Sequence, residues 1–135
     1  MLQFLLIGLI ILFSQGVLHS APGILVFLFG LSVGIWALQH NRRGNFNIQP
    51  VLKEGCDLIM TGPYRYMRHP MYTSVIFMML GIVISTPAAL EWFFFFSLLL
   101  ILTLKAKREE KLWCGHDVNY HEYQKHTKLF IPYIL

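Results

Sequence analysis

Residues 71–104 read MYTSVIFMMLGIVISTPAALEWFFFFSLLLILTL, with Glu91 the one charged side chain and Pro87 the one proline. A run this apolar, broken once by Ser85-Thr86-Pro87, predicts two membrane-crossing helices joined by a tight turn. Each half, at about 1.5 Å per residue, is long enough with its flanks for a hydrocarbon core about 30 Å thick. We place these spans at 71–86 and 88–104. Pro70 falls at the first helical position, where its missing N–H costs nothing.

Working toward the N-terminus, residues 39–70 turn polar, with Asn41-Arg42-Arg43-Gly44-Asn45 and Pro50 and Pro63. A loop of that length is long by ordinary standards and is either functional or disordered. The apolar residues scattered through it, among them Phe46, Val51 and Leu58, argue that it packs against something. Residues 23–39 form a further predicted span carrying Gly30-x-x-x-Gly34, a pair that lets another helix approach closely. Residues 2–18 form the first span. A signal peptide is the rival there, but its first residues carry no Lys or Arg, and His19-Ser20-Ala21 is a poor cleavage site.

The expected fold class is therefore all-α: a polytopic membrane protein with four transmembrane helices, a cytosolic loop and a cytosolic C-terminal helical tail. Composition agrees. Over 135 residues, 56% are hydrophobic and only 13% charged, with a mean hydropathy of +0.55. A soluble domain carries about 25% charged residues. Residues 1–135 read as a single integral membrane domain.

The net charge of +4 and a pI near 9.2 would suit nucleic acid only if the cations formed a basic face. Instead all eleven Lys and Arg lie in two segments, from Arg42 to Arg68 and from Lys105 to Lys128. Four spans put both segments on one side with the N-terminus, and the positive-inside rule makes that side cytosolic. No nucleic-acid partner is expected, and the small size leans toward a bacterial inner membrane. Cys56 and Cys114 have no metal-binding spacing and are expected as free thiols on the cytosolic side.

Polar chemistry is concentrated in Thr61-Gly62-Pro63-Tyr64-Arg65-Tyr66-Met67-Arg68-His69-Pro70-Met71-Tyr72. Its tyrosines and arginines also fit an interfacial belt that anchors to lipid phosphates. His69 is harder to place in a belt. It sits before a proline, so its backbone is biased to extended geometry at the mouth of a helix. Arg68, His69 and that helix N-terminus together suit an anionic group. Glu109-Glu110 follow the last span by under two turns; Glu109 has an ordinary alternative as the i,i+4 partner of Lys105. The hairpin nevertheless returns both carboxylates to the membrane face of His69.

His116, His121 and His126 are five residues apart, which on a helix turns successive side chains by roughly 140°. No metal is expected from them. The chain has no G-x-G-x-x-G, P-loop or G-x-S-x-G motif, so dinucleotide, P-loop and hydrolase chemistry have no support.

The stretch Gly62 to Tyr72, followed after one helical hairpin by Glu109-Glu110, resembles the isoprenylcysteine carboxyl methyltransferase family; phospholipid methyltransferases share its R-H-P-x-Y and E-E signature. The resemblance covers about Gln49 to Pro132. It implies a methyltransferase that uses S-adenosylmethionine without a Rossmann domain. Cofactor contacts are implied at Gln49, Cys56, Asp57, Leu58, Ile59, Tyr64, His69, Pro70, Met71, Tyr72 and Glu109, with Glu110 left open as the alternative to Glu109. Arg68 and Lys105 are implied near the acceptor, as catalytic residues. Lys105 stands where the family tends to have arginine, which keeps the charge and loses the bidentate fork. Ser74 stands where glycine is frequent, and Asp117-Val118 near the place of a phenylalanine-glycine.

The implied partners are membrane lipids and a lipophilic or small methyl acceptor. A carboxylate or thiol acceptor leads, with phospholipid N-methylation as the alternative and a non-catalytic lipid- or partner-binding role as the alternative from another class. Methyl transfer disperses the positive charge of a sulfonium, so a strong anion at sulfur would hold back the transition state. Glu109 is therefore expected on the ribose hydroxyls, with rate coming from alignment in a dry pocket. A carboxylate or thiolate acceptor needs no base; an amine must first lose a proton, and His69 is the nearby base.

Overall fold

A computed structural model of the chain describes residues 2–14, 20–41, 58–86, 88–116 and 119–131. Five α-helices and one 3₁₀ turn appear among them: α1 (Leu2–Phe13), α2 (Ala21–His40), the 3₁₀ turn (Gly62–Arg65), α3 (Pro70–Ser85), α4 (Ala89–His116) and α5 (Tyr120–His126). No β-strand occurs among the described residues, and the all-α expectation holds.

The predicted boundaries follow local chemistry. α2 is capped by Ser20, whose hydroxyl accepts from the Gly23 N–H at 3.2 Å, and has proline in its first turn. α3 opens on Pro70 as expected. α4 runs on past the predicted span to His116, because Lys105 to Leu112 are all strong helix formers. Residues 15–18 of the predicted first span lie outside the described residues, as does the turn at Pro87.

Two helices, Ala21–His40 and the Ala89–Gly115 stretch of α4, are long and apolar enough to cross a membrane. α1 and α3 are shorter apolar helices of 12 and 16 residues. Outward-facing side chains are apolar too, including Leu12, Leu25, Phe29, Phe93, Leu100 and Leu104. Continuous exposed apolar faces of this kind belong against lipid or another protein rather than water.

The closest packing is between α2 and α3. Gly30 makes it possible: a Cβ there would lie 2.7 Å from the Met78 backbone N and 2.9 Å from the Ser74 carbonyl. The small-residue pair in α2 thus has its partner helix. Ser74, the residue that departs from the family pattern, faces Gly34.

A second layer joins α1, α3 and α4. Leu6 and Ile10 of α1, Met79, Ile82 and Val83 of α3, and Phe95, Leu98 and Leu102 of α4 form one buried cluster. On α4 the buried stripe continues through Ala106. Three and four residues further on, the same face carries Glu109 and Glu110. The spacing that packs the core therefore also aims both carboxylates inward.

Candidate functional site

Where α3 begins, the chain is held by two other segments. Met67 forms a parallel bridge with Lys128, supported by Lys128 N–H to the Tyr66 carbonyl (3.3 Å), Arg68 N–H to the Lys128 carbonyl (2.8 Å) and His69 N–H to the Leu129 carbonyl (3.1 Å). The buried Thr73 hydroxyl reaches the Phe130 carbonyl at 2.7 Å. Residues 127–131 thus lie against the entrance to α3 as an arm. Before this point Gly62 takes φ +59°, a left-handed conformation that suits glycine, and a Cβ there would strike the His40 ring.

The side chains of this entrance meet the inward face of α4. Arg68 Nε donates to Glu110 Oε1 at 2.5 Å, both side chains being only 13% exposed. Its Nη1 donates to the Gln124 carbonyl at 3.3 Å and, at closer range, to the Thr127 carbonyl. Gln124 also donates to Glu110 Oε2 at 3.2 Å. His69 lies between the two carboxylates, with Nδ1 3.6 Å from Glu109 Oε2 and Nε2 3.5 Å from Glu110 Oε1. Nε2 is buried and makes no hydrogen bond.

Glu109 also accepts from the Tyr72 hydroxyl at 2.6 Å. The Tyr72 ring stacks on His69, with centroids 5.3 Å apart and planes within 3°. Lys105 Nζ also stands over the Tyr72 ring, 5.2 Å from its centroid, and this ammonium donates to Gln3 Oε1 of α1 at 3.3 Å.

Burial pushes Glu110 up, but the close approach of His69 and the hydrogen bond and charge of Arg68 outweigh it and hold the carboxyl below its ordinary value. Lys105, just beyond the apolar stretch 88–104, is pulled down by burial against the raising effect of Glu109. Tyr64, in the 3₁₀ turn, is pushed up by burial to about 12. Its carbonyl accepts from the Tyr123 hydroxyl at 2.6 Å, which fastens the turn to α5.

His69, Tyr72, Glu109, Glu110, Arg68 and Lys105 are thus brought together as expected from the two motifs. Pro70 and Met71 form the first turn that carries them. Leu58 and Ile59 are half-buried in irregular chain ahead of the 3₁₀ turn, and Tyr64 is tied to α5. Gln49, Cys56 and Asp57 lie outside the described residues.

Glu109 bonds Tyr72 rather than Lys105, its alternative i,i+4 partner, and Arg68, expected near the acceptor, is engaged by Glu110 and the arm. Gln3, Gln124 and Thr127 were missed: the only signal for Gln3 was a lone polar residue early in an apolar run, and the other two gave none.

Beside the arm lies an apolar cavity of about 440 Å³ between α2 and α3, lined among others by Phe29, Val33, Trp36, Met67, Phe77 and Ile131. Its volume is in the range of small-molecule sites. His121 and His126 serve different partners: His121 approaches Cys114 (3.9 Å to Sγ), and His126 approaches Glu122 (3.2 Å). Cys114 is a free thiol, and no group of three or more His, Cys, Asp or Glu among the described residues is placed to hold a metal.

The phospholipid methyltransferase family model matches residues 18–115, and the chain belongs to that family. It is thus a member of a methyltransferase family that acts on phospholipids or related lipids. No curated protein and no solved structure matches the chain.

Proposed function

We propose that this chain is an S-adenosylmethionine-dependent methyltransferase that works within a membrane and methylates the amine head group of a phospholipid. The observation that carries this reading is the His69 imidazole held between Glu109 and Glu110, 3.6 and 3.5 Å away, at the start of α3.

The donor set fits the cofactor. Glu109 is fixed by Tyr72 and keeps lone pairs for hydroxyl groups, and the stacked Tyr72–His69 pair beside Lys105 forms a rigid wall. Glu109, Tyr72 and His69 would hold S-adenosylmethionine, which supplies an electrophilic methyl group. Glu109 then binds by accepting hydrogen bonds from ribose, and Glu110 acts through Arg68 to fix the arm. Gln49, Cys56, Asp57, Leu58, Ile59, Tyr64, Pro70 and Met71 complete the cofactor site in this reading.

For an amine acceptor, His69 takes the proton that must leave before nitrogen can attack, and the flanking carboxylates stabilise the imidazolium formed. The acceptor's hydrocarbon lies in the cavity between α2 and α3, whose wall residue Thr73 bonds the carbonyls of His69 and Phe130. Lys105 supports a second reading, methylation of a carboxylate or thiol compound, because its ammonium could hold an anionic acceptor. Arg68 serves that role less well, since Glu110 and the arm occupy it.

In the same reading α1 and α3 cross the membrane with α2 and α4. Four spans put the N-terminus, the 39–70 loop and the C-terminal segment in the cytosol of a bacterial inner membrane. A reporter joined after Leu135 that read as non-cytosolic would overturn this orientation.

Calorimetry with S-adenosylmethionine in detergent tests the site. Wild type binds, and His69→Ala and Glu109→Gln weaken binding; a folded wild type that does not bind removes the enzymatic reading, and unchanged binding in both variants removes this site. Methyl transfer to phosphatidylethanolamine, rather than to a prenylated thiol or carboxylate, then distinguishes the two acceptors.

A further inference from the structure

Gln3 stands outside the stretch matched by the family model and is the lone polar residue among Leu2–Phe13. Its side-chain carbonyl oxygen nevertheless accepts a hydrogen bond from Lys105, 102 residues further along the chain. A polar side chain in an apolar helix needs such a partner, because an unbonded amide in hydrocarbon is costly.

The contact matters for what Lys105 does not do. Glu109 lies one turn further along α4, the spacing at which a lysine and a glutamate on a helix ordinarily pair. Here the ammonium lies over the Tyr72 ring and bonds Gln3, while Glu109 takes the Tyr72 hydroxyl and faces His69. The lysine-before-glutamate order is the weaker arrangement on a helix, so a single competing acceptor is enough to divert the ammonium.

We infer that Gln3 is a positioning residue that holds Lys105 away from Glu109, leaving the Glu109 carboxylate free to accept hydrogen bonds from a cofactor's hydroxyl groups. This rests on the function proposed above, and it adds a role for α1 in that site. Without Gln3, Lys105 would swing to Glu109, and the two charges would neutralise each other where the carboxylate is needed.

Gln3→Leu suits an apolar helix and keeps its packing, so the variant is expected to fold. The test measures S-adenosylmethionine affinity by calorimetry in detergent for wild type, Gln3→Leu and Gln3→Glu. Gln3→Leu should bind about tenfold more weakly, the scale of one lost charged hydrogen bond, whereas Gln3→Glu, which keeps an acceptor oxygen for Lys105, should bind like wild type. Undiminished binding by Gln3→Leu overturns the inference. So does a Gln3→Glu variant as weak as Gln3→Leu, since an acceptor at this position would then not matter.

A second readout does not need the cofactor. After reductive ¹³C-methylation, the Lys105 resonance, assigned by its loss in Lys105→Arg, is followed against pH. Its midpoint should rise in Gln3→Leu, as the ammonium gains Glu109, and fall back in Gln3→Leu/Glu109→Gln. A midpoint that does not move in Gln3→Leu overturns the inference even if wild type fails to bind the cofactor, a failure that by itself counts only against the proposed function.

Discussion

Arg68 and Glu110, 42 residues apart, meet at 2.5 Å with both side chains largely buried, and from that pair Arg68 reaches on to the Gln124 and Thr127 carbonyls. One guanidinium therefore ties together the entrance to α3, the end of α4 and the arm. Removing one partner from such a pair leaves a buried charge uncompensated.

Arg68→Ala should destabilise the protein by about 3 kcal/mol. Arg68→Lys should recover only part of this, because an ammonium cannot reproduce the planar fork that serves Glu110 and the arm together. Thermal unfolding in detergent gives both numbers, and equal melting of Arg68→Lys and wild type would show that charge alone matters.

Acid should release the arm. The Glu110 carboxyl is held below its ordinary value of 4.5, so its contribution is fully present above that pH and is lost as the pH falls through the lowered value. Trp113, stacked on Tyr120 at 6.0 Å, reports this region when Trp36 and Trp92 are replaced by phenylalanine. Its fluorescence should stay constant down to pH 4.5 and change only below it. In Glu110→Gln the arm should already be loosened at neutral pH, and this acid step should be missing.

Tyr72→Phe removes the hydroxyl that donates to Glu109 at 2.6 Å and leaves the ring stacked on His69. S-adenosylmethionine affinity should fall by about tenfold, as expected for one hydrogen bond to a charged acceptor. Calorimetry on the variant measures it, and melting should change little.

Close helix packing predicts the outcome at two glycines. Gly30→Ala brings a Cβ to 2.7 Å from the Met78 backbone, which cannot yield without moving α3, and should cost about 2 kcal/mol. Gly8→Ala on α1 meets nothing within 4 Å and should be neutral or slightly stabilising, since alanine is the better helix former. Melting curves of the two variants, compared in one detergent, check the contrast.

What the sequence made legible was local. Pro70 marked the start of α3, the apolar runs marked α2, α3 and the first part of α4, and two short motifs marked most of the side chains that meet. What stayed hidden was pairing at long range. Nothing in residues 127–131 announces a backbone bridge to Met67, because one bridge has no periodicity. The i,i+4 rule proposed Lys105 for Glu109, yet the folded chain offers each a different partner, Gln3 and Tyr72, that helix geometry alone does not reveal. Gln3 looked like a mere interruption of an apolar helix until its partner was seen.

The bridge between Met67 and Lys128 also fixes an order of assembly. Synthesis runs from the N-terminus at about 5–20 residues per second, so α1 to α4 exist before the arm has been made. Closing a loop of that size carries an entropy cost repaid only when the Arg68, Thr73 and backbone contacts form together. A nascent chain can therefore form its helices while the side chains at the start of α3 still lack the arm, and that end of the site is finished last.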